Sequence, residues 1–441
     1  MTERSTQPAP TDHERECPDC GLFQRIPRLP PNGEANCLRC DATLRRTRVR
    51  SFDKTLALSL TSLVLYWVAV TAPFLSVDIV GRQRETTMLS LPVAFWEEGA
   101  WELALIVGVT AIIMPLVKIG VMVAVMVGLR TANPPRSLPL MFKWYRRVGP
   151  WAMVEVFLLG VFVAFTRLGA IATVDVGIAL YAVAALMMTM VAADYYLDDD
   201  EIWHAMEARG LVPPAEIGPG TPIGCDVCGR VHYGQDGDRC TRCDSVVRSR
   251  KPNSIVNTWA LLAASALLYI PANAFPVMTI TRLGKGNEST ILGGAQELLD
   301  AGMWPLALLV FVASIMVPLL KLFSMSVMLM TAQRGSSWRL HDRTVVFRLV
   351  DFIGRWSMID IFMMATLVGL VRAGAIASIT PGLGAICFGS VVVLTMFAVT
   401  CFDPRVMWDR AEARDAARND PNTLLPRENR PAPLPAEPRA A

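Results

Sequence analysis

The chain has 441 residues, 53% of them hydrophobic and 18% charged, with a formal net charge of +3. Apolar residues gathered into long blocks exclude an ordinary soluble globular protein and point to a polytopic membrane protein. A charge balance this close to neutral argues against nucleic acid as a partner.

Residues 1–14 are polar, with scattered Pro and Thr, and are expected to form a disordered tail. They hold no apolar signal-peptide core, so the N-terminus is expected to stay on the side of synthesis. Residues 15–50 carry two C-x-x-C pairs, Cys17 with Cys20 and Cys37 with Cys40, separated by sixteen residues. In a reducing compartment such pairs are metal ligands rather than disulfides. Four thiolates on two short knuckles make a tetrahedral sulfur site suited to Zn(II), with iron the less favoured alternative. All four positions are Cys, which leaves no open coordination site, so the expected role is structural.

Arg45, Arg46, Arg48 and Arg50 precede an apolar run from Thr55 to Leu75, and a basic cluster at that place marks the cytoplasmic side. A polar loop is expected over 76–100. The next apolar segment, Trp101 to Leu129, contains Pro115 and Lys118 and would be roughly 43 Å long if straight, against a hydrocarbon core of ~30 Å. It should tilt, kink at Pro115 or break. A basic loop over 130–147 follows, and then a hairpin of two spans, 149–167 and 171–193, with Glu155 in its first limb and Arg167 at its tip. The first bundle is thus 51–200, followed by a Pro/Gly-rich linker over 201–224.

The second half replays the first. A ribbon at 225–250 holds Cys225, Cys228, Cys240 and Cys243, a second bundle spans 251–408, and a disordered tail is expected over 409–441. Tyr66, Pro73, Pro115 and Lys118 recur 203 residues later as Tyr269, Pro276, Pro318 and Lys321. Trp151, Glu155 and Arg167 recur 205 residues later as Trp356, Asp360 and Arg372. The expected fold is an all-α polytopic membrane protein built from two tandem parallel repeats, each a small cytoplasmic four-cysteine zinc ribbon followed by four transmembrane helices. An even number of spans per half makes the copies parallel rather than inverted and leaves both termini and both ribbons in the cytoplasm.

Four charged residues stand away from the ends of the expected spans: Lys118, Glu155, Lys321 and Asp360. Neither sign is stable alone in hydrocarbon, so each lysine is expected to pair with the acid of the next span. A purely structural pair holding helices in register is the simpler alternative. The second copy is richer in hydroxyls: Ser314 and Ser357 stand where the first has Ala111 and Ala152, and Thr395 lies in the last span. This places the working site in the second half, around Pro318, Lys321 and Asp360, with Lys118 a relic of duplication. No phosphate loop, hydrolase triad or cofactor motif is present, so no enzyme is expected.

Two ribbon-plus-four-span units, each with Pro-Leu-x-Lys in its second span (Pro115 to Lys118, Pro318 to Lys321), resemble the paraquat-inducible protein A family of bacterial inner-membrane proteins over about residues 15–408. The resemblance implies periplasmic MCE-domain tunnel proteins as partners, phospholipid as cargo and a role in envelope integrity. Lys321, Asp360 and their neighbours would contact the head group or couple movement to protonation. Two other classes fit the residues alone: a stand-alone proton-coupled small-molecule exporter, and a metal or redox sensor built on the ribbons.

Overall fold

In the computed structural model, eight of the described helical stretches are long and apolar enough to cross a membrane. They are Ser51–Thr71, Trp101–Gly128, Leu138–Leu168 and Ile178–Tyr196, then Ser254–Ala274, Trp304–Gln333, Leu340–Leu370 and Leu383–Cys401. The protein is a mostly helical, multi-pass membrane protein. The structure describes residues 14–419 apart from 28, 80–81, 170–172, 215–219, 283–284 and 371–376, so the tail expected at 1–14, save Glu14 at the start of a short strand, and most of that at 409–441 lie outside the described residues.

In each half the first and fourth spans pack together, because small polar and Ala side chains line the contact and let the backbones approach. Ser59, Ser62 and Ala69 are buried in the first span, and Ala179, Ala182 and Ala193 in the fourth. The Ser62 hydroxyl and the Thr189 hydroxyl are 2.9 Å apart. The pair is pinned at its ribbon end, where the Asp198 amide donates to Ser51 Oγ at 3.1 Å; in the second half the Asp403 amide donates to Ser254 Oγ at 2.8 Å.

Both second spans depart from α geometry just before their proline. Gly108–Ile113 and Val312–Met316 are π-helical, and Pro115 and Pro318 open the helices that follow. Proline has no N–H to give the preceding turn, so carbonyls there need donors from elsewhere. Tyr66 OH donates to the Ile112 carbonyl at 3.0 Å, and Tyr269 OH to that of Ile315 at 3.4 Å. The recurring tyrosines thereby acquire a physical reason.

Where a basic loop was expected over 130–147, the chain forms a helix, Leu138–Val148, which buries Leu138, Phe142, Tyr145 and Val148. Their spacing is that of one helical face, which the charge count hid. A 3₁₀ turn, Gly149–Trp151, joins it to the third span proper, Val154–Gly169. The third spans of the two halves cross at the centre of the molecule, with the Phe157 and Phe362 rings edge-on at 5.6 Å. Gly160 permits the crossing, since a Cβ there would meet the Phe362 Cβ at 2.7 Å.

The all-α expectation needs correction at the end away from the ribbons. Leu75–Ile79 is the central strand of a three-stranded antiparallel sheet, between Arg82–Thr86, in what was read as a polar loop, and Thr173–Val176, in what was read as the start of the span 171–193. In the second half Met278–Arg282 lies likewise between Lys285–Ser289 and Ala377–Pro381. Only four or five residues long, these strands carry too few side chains for a strong alternation signal. At the other end, helix Asp199–Ala208 occupies the start of the expected linker, and helix Arg405–Asn419 continues past 408. The first is capped by Asp198, whose carboxylate accepts from the amides of Asp200 and Glu201.

Candidate functional site

Each C-x-x-C pair closes a tight turn in which an amide four residues on donates back to the first cysteine's carbonyl. The donors are Gly21, Asp41, Gly229 and Asp244, at 2.8–3.0 Å. All four have positive φ, which Gly and Asp tolerate better than most residues. Residue choice after each pair is therefore part of the motif, a signal the cysteine spacing alone does not convey. The turns bring Cys17, Cys20, Cys37 and Cys40 together, and likewise Cys225, Cys228, Cys240 and Cys243; within each set the sulfurs lie within 4.8 Å of one another. All eight are free and buried. Sulfur separations of 3.4–3.6 Å, as between Cys17 and Cys40 or Cys228 and Cys240, approach the edge of a tetrahedron around an ion with ~2.3 Å metal–sulfur bonds. Either set could hold a metal ion.

The ribbons dock crosswise. The first precedes the first bundle but seats on the second: its cysteines pack with Trp408 and Leu340, and Arg39 stacks over the Trp408 ring at 4.2 Å. Arg348 of the second bundle donates to Asp19 at 2.6 Å and to the Cys40 carbonyl at 2.7 Å. The second ribbon seats on the first bundle, with its cysteines against Trp203, Met206 and Phe142 and with Arg242 5.3 Å from the Trp203 ring. Arg39 and Arg242 are each the residue before the last cysteine of their ribbon, so the two docks use the same chemistry. The ribbons also touch each other, through Arg15 to the Cys228 carbonyl at 3.1 Å and the Gly224 amide to Glu16 at 2.7 Å.

Between the bundles the lysines do not pair as expected. Lys118 donates to Asp194 of the fourth span at 2.6 Å, not to Glu155, and the Tyr145 hydroxyl donates to the other oxygen of Asp194 at 2.5 Å. Asp194 is 43% exposed, so a long lysine stem reaching it leaves the ion pair at the rim rather than in hydrocarbon. Glu155 is half-buried and lines the cleft beside the pair. Lys321 is 2% exposed and donates to the Thr395 hydroxyl at 2.8 Å and the Gly354 carbonyl at 3.3 Å. Its position 203 residues after Lys118 is matched by Val399 standing 205 residues after Asp194, so no rim acid is available there. Thr395, one turn earlier, takes the ammonium instead.

Asp360 is not the partner of Lys321 either. It is buried beside the Ser314 hydroxyl, which itself donates to the Val310 carbonyl at 2.6 Å, and it interacts with Arg167 of the other half. Arg167 also donates to the Gly294 carbonyl at 3.2 Å, so it spans from one bundle into the other. Asp360 Oδ1 and Ser357 Oγ are buried without a hydrogen-bond partner among the described residues. Pro318 lies in the first turn of the helix that carries Lys321. Asp194, Tyr145 and Arg167 are the contributors that the pairing argument missed, because their contacts join distant spans. A cleft of about 770 Å³ lies between the halves on the ribbon side, and both Lys118 and Lys321 line it.

These features define a polytopic helical membrane protein with two four-cysteine modules and a polar site between its bundles. The chain belongs to the family described as Paraquat-inducible protein A, whose model matches residues 52–207 and again 255–412. It is 31% identical over 402 residues to Intermembrane transport protein PqiA of Escherichia coli, covering 89% of this chain and 95% of that one. Lipophilic envelope-spanning tunnel protein A of Escherichia coli is 29% identical over 409 residues, with 93% and 94% covered. Probable intermembrane transport protein of Haemophilus influenzae is 27% identical over 418 residues, with 89% and 95% covered. No solved structure matches the chain.

Proposed function

We propose that this protein is the inner-membrane component of a lipid-transport system, moving phospholipid between that membrane and a periplasmic MCE-protein tunnel. The observation that carries the reading is Lys321, an ammonium 2% exposed inside a helical bundle, which among the described residues hydrogen-bonds only to a hydroxyl and a carbonyl. Holding a cation there is costly and marks a working site. Its position at the edge of a cleft between the bundles supports contact with cargo, and the names of the relatives, intermembrane transport and envelope-spanning tunnel proteins, point the same way.

In this reading the chain is a tandem duplication with parallel halves, supported by the twofold family match and by the same order of elements in each half. The ribbons and both termini are cytoplasmic, in keeping with Arg45 to Arg50, the basic stretch over 130–147 and the arginines of 334–355 on the ribbon side. Each ribbon holds one structural zinc ion, which joins two knuckles too small to fold without it. Transport rather than covalent chemistry is the activity, and Asp360, Ser314, Ser357 and Thr395 act with Lys321.

The test uses a strain whose outer-membrane barrier depends on this protein. Lys321→Ala and Asp360→Ala are each expected to abolish barrier function while the protein still accumulates in the membrane. Intact barrier function in both variants would sink the proposal. Co-purification of a periplasmic MCE-domain protein with bound phospholipid is expected for the wild type.

A further inference from the structure

Lys118 and Lys321 belong to different halves, yet both line the same cleft of about 770 Å³, a size suited to a ligand. Lys143, Arg147, Lys251 and Arg355 stand around them. Against seven lining cations among the described residues stand five carboxylates, three of them engaged within the chain, Asp194 by Lys118 and Tyr145, Asp199 by Arg146, and Asp226 by Arg405 at 3.3 Å, which leaves Glu155 and Asp351. Arg147 is exposed and forms no ion pair among the described residues; Arg355 rests on the Phe352 ring at 5.7 Å and meets Asp351 only through a longer-range attraction. The cleft therefore holds cationic donors in excess of the anions that could satisfy them. Each lysine has three donor hydrogens, so Lys118 can keep Asp194 and still offer a contact.

The remaining wall is apolar. Trp151, Phe347, Met396 and Val399 line it, and Trp151 packs across the halves against Phe397 at 5.2 Å between ring centres. A hydrated inorganic anion gains nothing from such a wall, whereas the glycerol and first acyl carbons of a lipid do.

We propose that this cleft binds the phosphate of an anionic phospholipid headgroup drawn from the leaflet on the ribbon side, with Lys118 and Lys321 contributed one from each half. The proposal rests on the transport reading above and adds where the cargo is held and what part of it is recognised. Arg147 and Arg355 attract the headgroup at the mouth, the lysines hold the phosphate, and Trp151 with Met396 and Val399 receives the glycerol end.

Native mass spectrometry of the full chain released from detergent micelles tests this, with phosphatidylglycerol, diacylglycerol and inorganic phosphate as probes. Phosphatidylglycerol is expected to stay bound, diacylglycerol to be lost, and inorganic phosphate to leave the lipid in place. The double variant Arg147→Gln/Arg355→Gln should weaken retention about tenfold, the scale of a charge-assisted contact, and Lys321→Met by at least as much. Arg147 and Arg355 lie outside the buried core, so their replacement probes the cleft without endangering the fold. Equal retention of phosphatidylglycerol and diacylglycerol, or unchanged retention in both variants, would overturn the proposal. Displacement by inorganic phosphate would overturn the lipid assignment in favour of a free anion. Lost binding with intact barrier function refutes the transport reading and leaves the cleft standing; intact binding with lost barrier function does the reverse.

Discussion

In the first half the second-span lysine, Lys118, reaches a carboxylate at the rim, Asp194, at 2.6 Å; in the second half its counterpart, Lys321, turns inward to a hydroxyl and a carbonyl. The two helices around them share a proline, a π-turn and a supporting tyrosine. What differs is one turn of the fourth span, where the first half carries Met190 and Asp194 and the second carries Thr395 and Val399 at the matching places. An ion pair near water is cheap to hold, while an ammonium among neutral dipoles has no counter-charge within hydrogen-bonding distance. A single turn of side chains thus decides which partner each lysine takes.

The ribbons offer the strongest way to break that asymmetry. Cys17→Ser should cost the metal of the first of the two clusters and loosen the helix Arg405–Asn419 of the second half, because Trp408 packs on that cluster. Cys225→Ser should instead loosen Asp199–Ala208 in the first half. Metal analysis with hydrogen exchange reads both, and loss of protection in the bundle that follows the altered ribbon would refute crosswise docking.

Next in size is the lysine pair itself. Lys321→Met should lower barrier function at least about tenfold, near the scale of one charge-assisted contact, and Lys118→Met by only about threefold. Equal losses would erase the distinction between the halves.

At the crossing of the third spans, Gly160→Leu should destabilise by about 1–3 kcal/mol through overpacking. Ala365, its counterpart 205 residues on, already carries a Cβ, so Ala365→Gly should cost less. Thermal unfolding in detergent compares them.

Acid should act on the docks alike. Burial pushes the Asp200 carboxyl up, but Arg15, Arg45 and Arg242 outweigh it and hold the group below the ordinary range. Asp403 is likewise pushed up by burial and held down more strongly by Arg405. A carboxyl depressed on folding stabilises above its unfolded value, about 3.9, and loses that stabilisation as pH falls through its lower folded value. Melting temperature should therefore be insensitive to these groups at pH 5 and above and fall below about pH 4. Asp200→Asn should remove the first-half share of that fall, and an unchanged acid slope would contradict the assignment.

The smallest effect belongs to the tyrosines. Tyr66→Phe removes a 3.0 Å bond and Tyr269→Phe a 3.4 Å one. Losses of about 1 kcal/mol or less, larger for Tyr66, are expected from calorimetry.

Much of this was legible along the chain. The spans, the offset copies and the four-cysteine sets follow from apolar run length and cysteine spacing, which are local properties. The short strands beside Leu75 and Met278 were not, since five residues give little periodicity, and the amphipathic helix Leu138–Val148 was masked by its arginines. Among the candidate site residues, Lys118, Lys321 and Thr395 stood out by chemical oddity, but Arg167 looked like a hairpin tip and Asp194 fell just past the end of the expected fourth span.

By itself the sequence determined the membrane class, the paired ribbons and the lysine that recurs behind a proline, because solvent, ligand spacing and repetition are all written in linear order. The tertiary structure alone decided which partner each lysine takes, which bundle each ribbon seats on, and that both lysines share one cleft. Those outcomes depend on contacts between residues tens to hundreds of positions apart, where shape and distance rather than spacing choose the partner.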